Sequence, residues 1–223
     1  MAEIYQHLPA SARLLPSETF DFDSQYRVPA DRFVPVGILD SGVDYNHPAL
    51  AWRIWRNPAE EQGAPGLDDD DWDADPLSFI DDLVGWNFDD PASGRLLYDY
   101  HPPSLWSISE ITYHGTHVAG IASRGSRQLK LVSCKWNRDT NEDDPSVVAG
   151  WGSAVRYLAA NRVPVINMSF GGKGKGDYLL LRQLYAEMRQ HPEILFVASA
   201  GNDGEDCDRV LHFPSSLVAD CRQ

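Results

Sequence analysis

Two histidines three residues apart, His114 and His117 in the stretch YHGTHVAG, are the residues here best suited to chemistry. An imidazole serves as a general base, a metal ligand or a polar helix-starting residue, according to its neighbours. Zinc-binding helices space their histidines by four around a glutamate. Here Gly115 and Thr116 intervene and no Cys or Glu follows, so the pair favours a base over a metal site. Asp40, just after FVPVGIL, and Asn202, within ASAGNDG, are the other candidates. An aspartate after a strand turns the chain or caps a helix. Beside a histidine it also orients the ring through one nitrogen and stabilises the imidazolium. A carboxamide between glycines is a turn residue, or a donor to a developing oxyanion. At a helix N-terminus the dipole favours neutral imidazole, the form a base needs.

These side chains need a scaffold that brings them to one place. Short apolar runs at Phe33 to Leu39, Leu129 to Trp136, Val163 to Phe170 and Ile194 to Ala200 read as strands. Helical spacing falls at His114 to Ser123, Val147 to Arg162 and Asp177 to Gln190. Alternating apolar strands and helices predict an α/β fold of three layers, with a mostly parallel central sheet covered on both faces. The small residues Gly115, Ala119 and Gly120 predict close packing of the first of these helices on the sheet. Ligands bind beyond the carboxyl ends of parallel strands. Asp40, Ser169 to Gly172 and Asn202 follow three such ends, and His114 opens a helix beside them. The first 32 residues read as an arm, and residues 56–109 as an irregular excursion rich in Asp and Trp.

Composition narrows the partners. A formal net charge of −14 disfavours nucleic-acid backbones. No run of about 18 apolar residues occurs, so no membrane span is expected. Cys134, Cys207 and Cys221 form no even framework; Cys134 reads as a reduced core residue, and Cys207 with Cys221 as an optional pair. Together with the lack of a signal-like start, this leans towards a cytoplasmic setting.

LDSGVDYNHPAL resembles the aspartate motif of the subtilisin-like serine proteases, and HGTHVAGIAS their histidine motif. INMSFGG is similar to their substrate-binding edge, VASAGNDG to their oxyanion-asparagine motif, and FIDDLVGWNF to a stretch of many bacterial members. The four principal motifs occur in the family's order, with 74 residues from Asp40 to His114 and 88 from His114 to Asn202. The resemblance spans about Val34 to Pro214. It implies a subtilisin-like catalytic domain over 33–223, incomplete at its C-terminal side, that hydrolyses peptide bonds. Asp40 orients the ring, His114 is the base, and Asn202 donates to the oxyanion. His117 is structural. Ser169, Phe170 and Gly171 pair with the substrate backbone, and Ser199, Ala200 and Gly201 line the far side of the primary pocket. Asp203 and His212 fall near that pocket's mouth and base, and Phe213-Pro214 beyond it.

The pattern departs from the family in two places. The family's nucleophile lies in a Gly-Thr-Ser-Met-Ala motif beyond the oxyanion asparagine, and these 223 residues contain none. The expectation is a second chain or segment bearing that serine; the alternative is a non-catalytic, peptide-binding or regulatory module. Many members also bind a structural calcium through an aspartate where this chain has Ala49. The Asp-rich loop offers a replacement, since Asp71, Asp73, Asp75 and Asp82 fall at positions 1, 3, 5 and 12 of a calcium-loop frame. Asp203, Asp206 and Asp208 hint at basic residues in the substrate.

Overall fold

Runs rich in Val, Ile and Leu, closed by Asp, Lys or Ser, form four of the five parallel strands in the computed structural model. It describes residues 33–62, 79, 82–88, 113–136, 145–171, 178–206 and 209–216. The strands are β1 (Val34–Asp40), β2 (Gly85–Asn87), β3 (Leu129–Lys135), β4 (Val165–Met168) and β5 (Leu195–Ala198). They lie in the order β2-β3-β1-β4-β5. The helices are α1 (Pro58–Gln62), α2 (His114–Ser123), α3 (Pro145–Ala160) and α4 (Tyr178–Gln190).

The seven-residue pairing of β1 with β3 runs from Val34 against Leu129 to Asp40 against Lys135. On one face Leu39, Val132, Cys134, Ile166 and Met168 pack with Tyr157 and Leu158 of α3 and Leu184 and Met188 of α4. On the other, Val36, Ile38 and Leu131 pack against Ala119 of α2. The fold is therefore the expected α/β arrangement, with helices on both faces of a parallel sheet. Cys134 is fully buried in the first of these clusters, as expected of a reduced core residue. No helix among the described residues is long and apolar enough to cross a membrane.

Two parts of the sheet differ from the sequence reading. Residues 56–109, read as irregular, supply α1 and the edge strand β2, whose Gly85–Asn87 pair with Ser133–Lys135. Three residues are too few to leave an apolar run. What holds the segment is aromatic: Phe79 stands edge-on to Trp86, Phe88 and Tyr157 at centroid distances of 5.1, 5.9 and 5.1 Å. The second difference is β5, whose apolar run resembles that of a strand covered on both faces. Phe196 and Ala198 pack on the α3–α4 side, whereas Leu195 and Val197 are 60% and 45% exposed. Ile121 of α2 is also exposed. Gly120, expected to pack on the sheet, has nothing near the position of a Cβ.

Candidate active site

In a parallel sheet all carboxyl ends share one rim. The chain leaves β1 towards β2 and leaves β4 towards β5, so these adjacent strands send their connections in opposite directions. A crevice opens at such a reversal. Asp40 closes β1 there and is only 3% exposed. Its Oδ1 accepts the Ser41 N–H at 2.8 Å and lies 2.7 Å from Nδ1 of His114. An ionised carboxylate only accepts, so Nδ1 carries the proton and the other ring nitrogen is left as the basic one. The His114 side chain is 47% exposed. A buried acceptor thus holds a ring whose body faces outward.

The first turn of α2 is built to make that contact. The Gly115 N–H donates to Ser41 Oγ at 2.9 Å, and the Asp44 N–H donates to Thr116 Oγ1 at 2.9 Å. A Cβ on Gly115 would stand 2.1 Å from the Gly42 carbonyl oxygen and 3.1 Å from Asp40 Oδ1. Only glycine lets the helix come this near the aspartate turn. Gly115, Ala119 and Ser123, four apart, form the buried stripe of α2. His117, expected to be structural, is exposed, and its side chain makes no hydrogen bond among the described residues. Those residues also hold no group of three His, Cys, Asp or Glu side chains placed to bind a metal.

One polar feature at this rim went unread in the sequence. Asn87, Lys135 and Asp40 are register partners across β2, β3 and β1, and each is 3 to 5% exposed. The signal was present as a lysine closing the buried stretch Leu131–Lys135, two residues after a serine.

The two expected substrate edges meet. Ser199 Oγ donates to the Phe170 carbonyl at 2.9 Å, and the Ser199 N–H donates to Met168 at 3.2 Å. Gly171 and Gly201 both face the ring of His212: a Cβ on Gly171 would be 2.4 Å from its Cε1, and one on Gly201 2.6 Å from its Nε2. His212 is 7% exposed. Gly201 has φ 87°, a left-handed conformation that favours glycine. Ser169 shares hydrogen bonds with Asn167, and Ala200 is exposed. Asn202 follows on the same rim, exposed, and no hydrogen bond among the described residues ties its side chain to Asp40 or His114. Beside this edge Trp136 and Trp151 meet edge-on and Phe170 lies tilted against both, with centroids 4.3 to 4.9 Å apart.

Of the four aspartates read as a calcium frame, Asp71, Asp73 and Asp75 lie outside the described residues. Asp82 is 1% exposed and its two oxygens are separately engaged: Oδ1 accepts from Asn57 Nδ2 at 2.7 Å, Oδ2 from the Tyr157 hydroxyl. It locks the excursion onto α3, a role filled by protein donors.

Residues 31–218 match the family described as the Subtilase family. Subtilisin-like protease 1 of Plasmodium falciparum (isolate 3D7) is 30% identical over 195 residues, which are 83% of this chain and 24% of that protein. Subtilisin-like protease het-Q2 of Podospora anserina is 28% identical over 185 residues, 78% of this chain and 48% of that protein. The chain thus spans 24% to 48% of the length of these relatives. The crystal structure of a lanthipeptide protease shares the fold with a TM-score of 0.52 at 21% identity, covering 82% of this chain and 45% of that one. With the match extending over most of its length, the chain belongs to the subtilase family.

Proposed function

We propose that this chain is the Asp/His/oxyanion part of a serine endopeptidase, completed by a separate segment that carries the nucleophilic serine. The observation that carries this reading is the 2.7 Å contact between His114 Nδ1 and a carboxylate that is itself buried. Asp40 fixes the tautomer, so the outward nitrogen of His114 takes the proton of an incoming serine hydroxyl as its oxygen attacks the peptide carbonyl. The imidazolium, stabilised by Asp40, then returns that proton to the leaving amine. Asn202 donates to the oxyanion once substrate and serine are in place. The substrate lies along Ser169, Phe170 and Gly171 as an added strand. Without an activated hydroxyl the acyl-enzyme cannot form, so this chain alone does not turn over.

The open flank of the sheet supports the need for a second segment. Ile121, Leu195 and Val197 leave apolar surface beside α2, and a strand exposed in this way invites a covering partner. The segment envisaged here bears the family's Gly-Thr-Ser-Met-Ala motif. Co-expression of the chain with such a segment restores cleavage of an unstructured polypeptide; a folded, co-purifying pair that never cleaves contradicts the reading. A peptide-binding module without turnover is the second reading, favoured by the fact that both substrate edges are joined through Ser199 and Phe170 without any nucleophile.

A further inference from the structure

We propose that Thr116 is a positioning residue for the His114–Asp40 pair. Its hydroxyl, by accepting the Asp44 N–H, is the second of two clasps that hold the first turn of α2 on the aspartate turn and so keep the ring of His114 on Asp40. The inference rests on the reading of His114 as a general base, and adds a residue to that site.

α2 starts without a cap of its own. Its N-cap is Tyr113, whose side chain makes no capping hydrogen bond, and its first turn holds no acidic residue. Helix N-termini leave N–H groups that need acceptors from elsewhere. Here Ser41 Oγ, 74 residues away in sequence, takes that of Gly115 at 2.9 Å. The Ser41 N–H donates in turn to Asp40 Oδ1 at 2.8 Å. The aspartate turn therefore caps the helix, and the entry of α2 is tied to the carboxylate its histidine must meet. One hydrogen bond at one residue is still a pivot.

The second contact falls on the next residue of the helix. The Asp44 N–H donates to Thr116 Oγ1 at 2.9 Å, across 72 residues of sequence. Consecutive helical residues point about 100° apart, so clasps on both oppose a roll of the helix as well as a tilt. Asp44 is itself set by its own turn, where its Oδ1 accepts the Asn46 N–H at 3.1 Å. Between the clasps Gly42, at φ 109°, places its carbonyl oxygen where a Cβ on Gly115 would be 2.1 Å away. His114 precedes the two clasped residues and moves with them. Its side chain is 47% exposed, so packing alone does not hold the ring at 2.7 Å from Asp40 Oδ1. Which ring nitrogen carries the proton is set by the hydrogen bond it makes, so a loosened first turn frees the tautomer.

The test is long-range proton–nitrogen NMR of the imidazoles in the purified, isotope-labelled chain, at a pH where the ring is neutral. In the wild type His114 is the Nδ1–H tautomer. Thr116→Val, which keeps the shape and removes the acceptor, lowers its ratio of Nδ1–H to Nε2–H by about three- to tenfold, the equivalent of one typical hydrogen bond. Thr116→Ser keeps the acceptor and restores the ratio. Ser123→Ala removes a hydroxyl bonded to the Ala119 carbonyl at the other end of the same helix; it leaves the ratio unchanged, which separates positioning from helix stability. An unchanged ratio in Thr116→Val, or an equal loss in Ser123→Ala, overturns the proposal. If Thr116→Val does not fold, hydrogen exchange of the wild type decides. The Asp44 amide then exchanges as slowly as that of Gly115, and exchange at the rate of an unbonded loop amide overturns the proposal. In an active pair Thr116→Val lowers kcat by about ten- to a hundredfold with KM little changed. The NMR measurement needs no nucleophile, so its outcome is separate from the protease reading. A lowered ratio in a chain whose pair never cleaves sinks only the protease. A cleaving pair in which Thr116→Val keeps both the ratio and kcat sinks only the clasp.

Discussion

β1 and β5 end on the same rim of the same sheet, each with an apolar run followed by a polar residue, yet their ends are held very differently. At the end of β1, Asp40 is 3% exposed and locked to Ser41 and His114, with α2 pressed onto it at Gly115. At the end of β5, Asn202 is exposed, and the strand behind it shows Leu195 and Val197 to solvent. The β1 end is preorganised: the ring of His114 is already oriented by Asp40. The β5 end, under the function proposed above, is completed only when a second segment covers it. In the proposed enzyme the acid-base half of the site is finished and the oxyanion half awaits assembly.

This contrast sets the order of expected effects in the assembled pair. Asp40→Asn, which offers the wrong partner to Nδ1–H, lowers kcat by roughly 10⁴-fold. Asn202→Ala removes one donor and lowers kcat by roughly 10²–10³-fold with little change in KM. Steady-state kinetics on one peptide separates the two, and equal losses would break the distinction between a finished and an unfinished half.

The two glycines of α2 sharpen the same contrast in stability. Gly115→Ala drives a Cβ against the Gly42 carbonyl and costs about 1–3 kcal/mol or more in urea denaturation. Gly120→Ala meets nothing within 4 Å and, through helix propensity alone, stabilises the chain by about 0.5–1 kcal/mol. If Gly120 faces the covering segment, the same substitution weakens co-purification of the pair. A destabilised Gly120→Ala chain would show that the flank is already closed.

The smallest effect concerns the core. Burial, and secondarily the charge of Asp82, push the Cys134 thiol well above its ordinary value of 9.0. The folded state keeps its proton at a pH where the unfolded chain loses it. Stability is therefore unaffected by this group below that value and falls as pH rises through it, by at most about 1.4 kcal/mol per pH unit. Cys134→Val removes this part of the alkaline slope; an unchanged slope would mean the thiol is accessible.

What the sequence revealed and what it hid have a common cause. β1, β3 and α2 were legible because a β-branched run and a Gly/Ala stripe record burial directly, and Asp40 and His114 fell together because both sit at element ends on one rim. β2 was hidden because its three residues are held by tertiary aromatic contacts with Phe79 and Tyr157. The half-open state of β5 was hidden because an apolar run records what a strand can bury, and does not say whether a neighbour is present. Lys135 and Asp82 were hidden for a third reason: their surroundings are set by strand register and by Asn57 and Tyr157, which lie far off in sequence. His212 was placed near the pocket, but its wedge between Gly171 and Gly201 needed coordinates.

The central claim is that His114, held by Asp40, activates a serine supplied from outside these residues. Labelling of the assembled pair by a fluorophosphonate tests it most directly. The account predicts that label appears on the partner segment only when both parts are present, and that His114→Ala abolishes it while the pair still co-purifies. Label on the isolated chain, or undiminished labelling with His114→Ala, would contradict it.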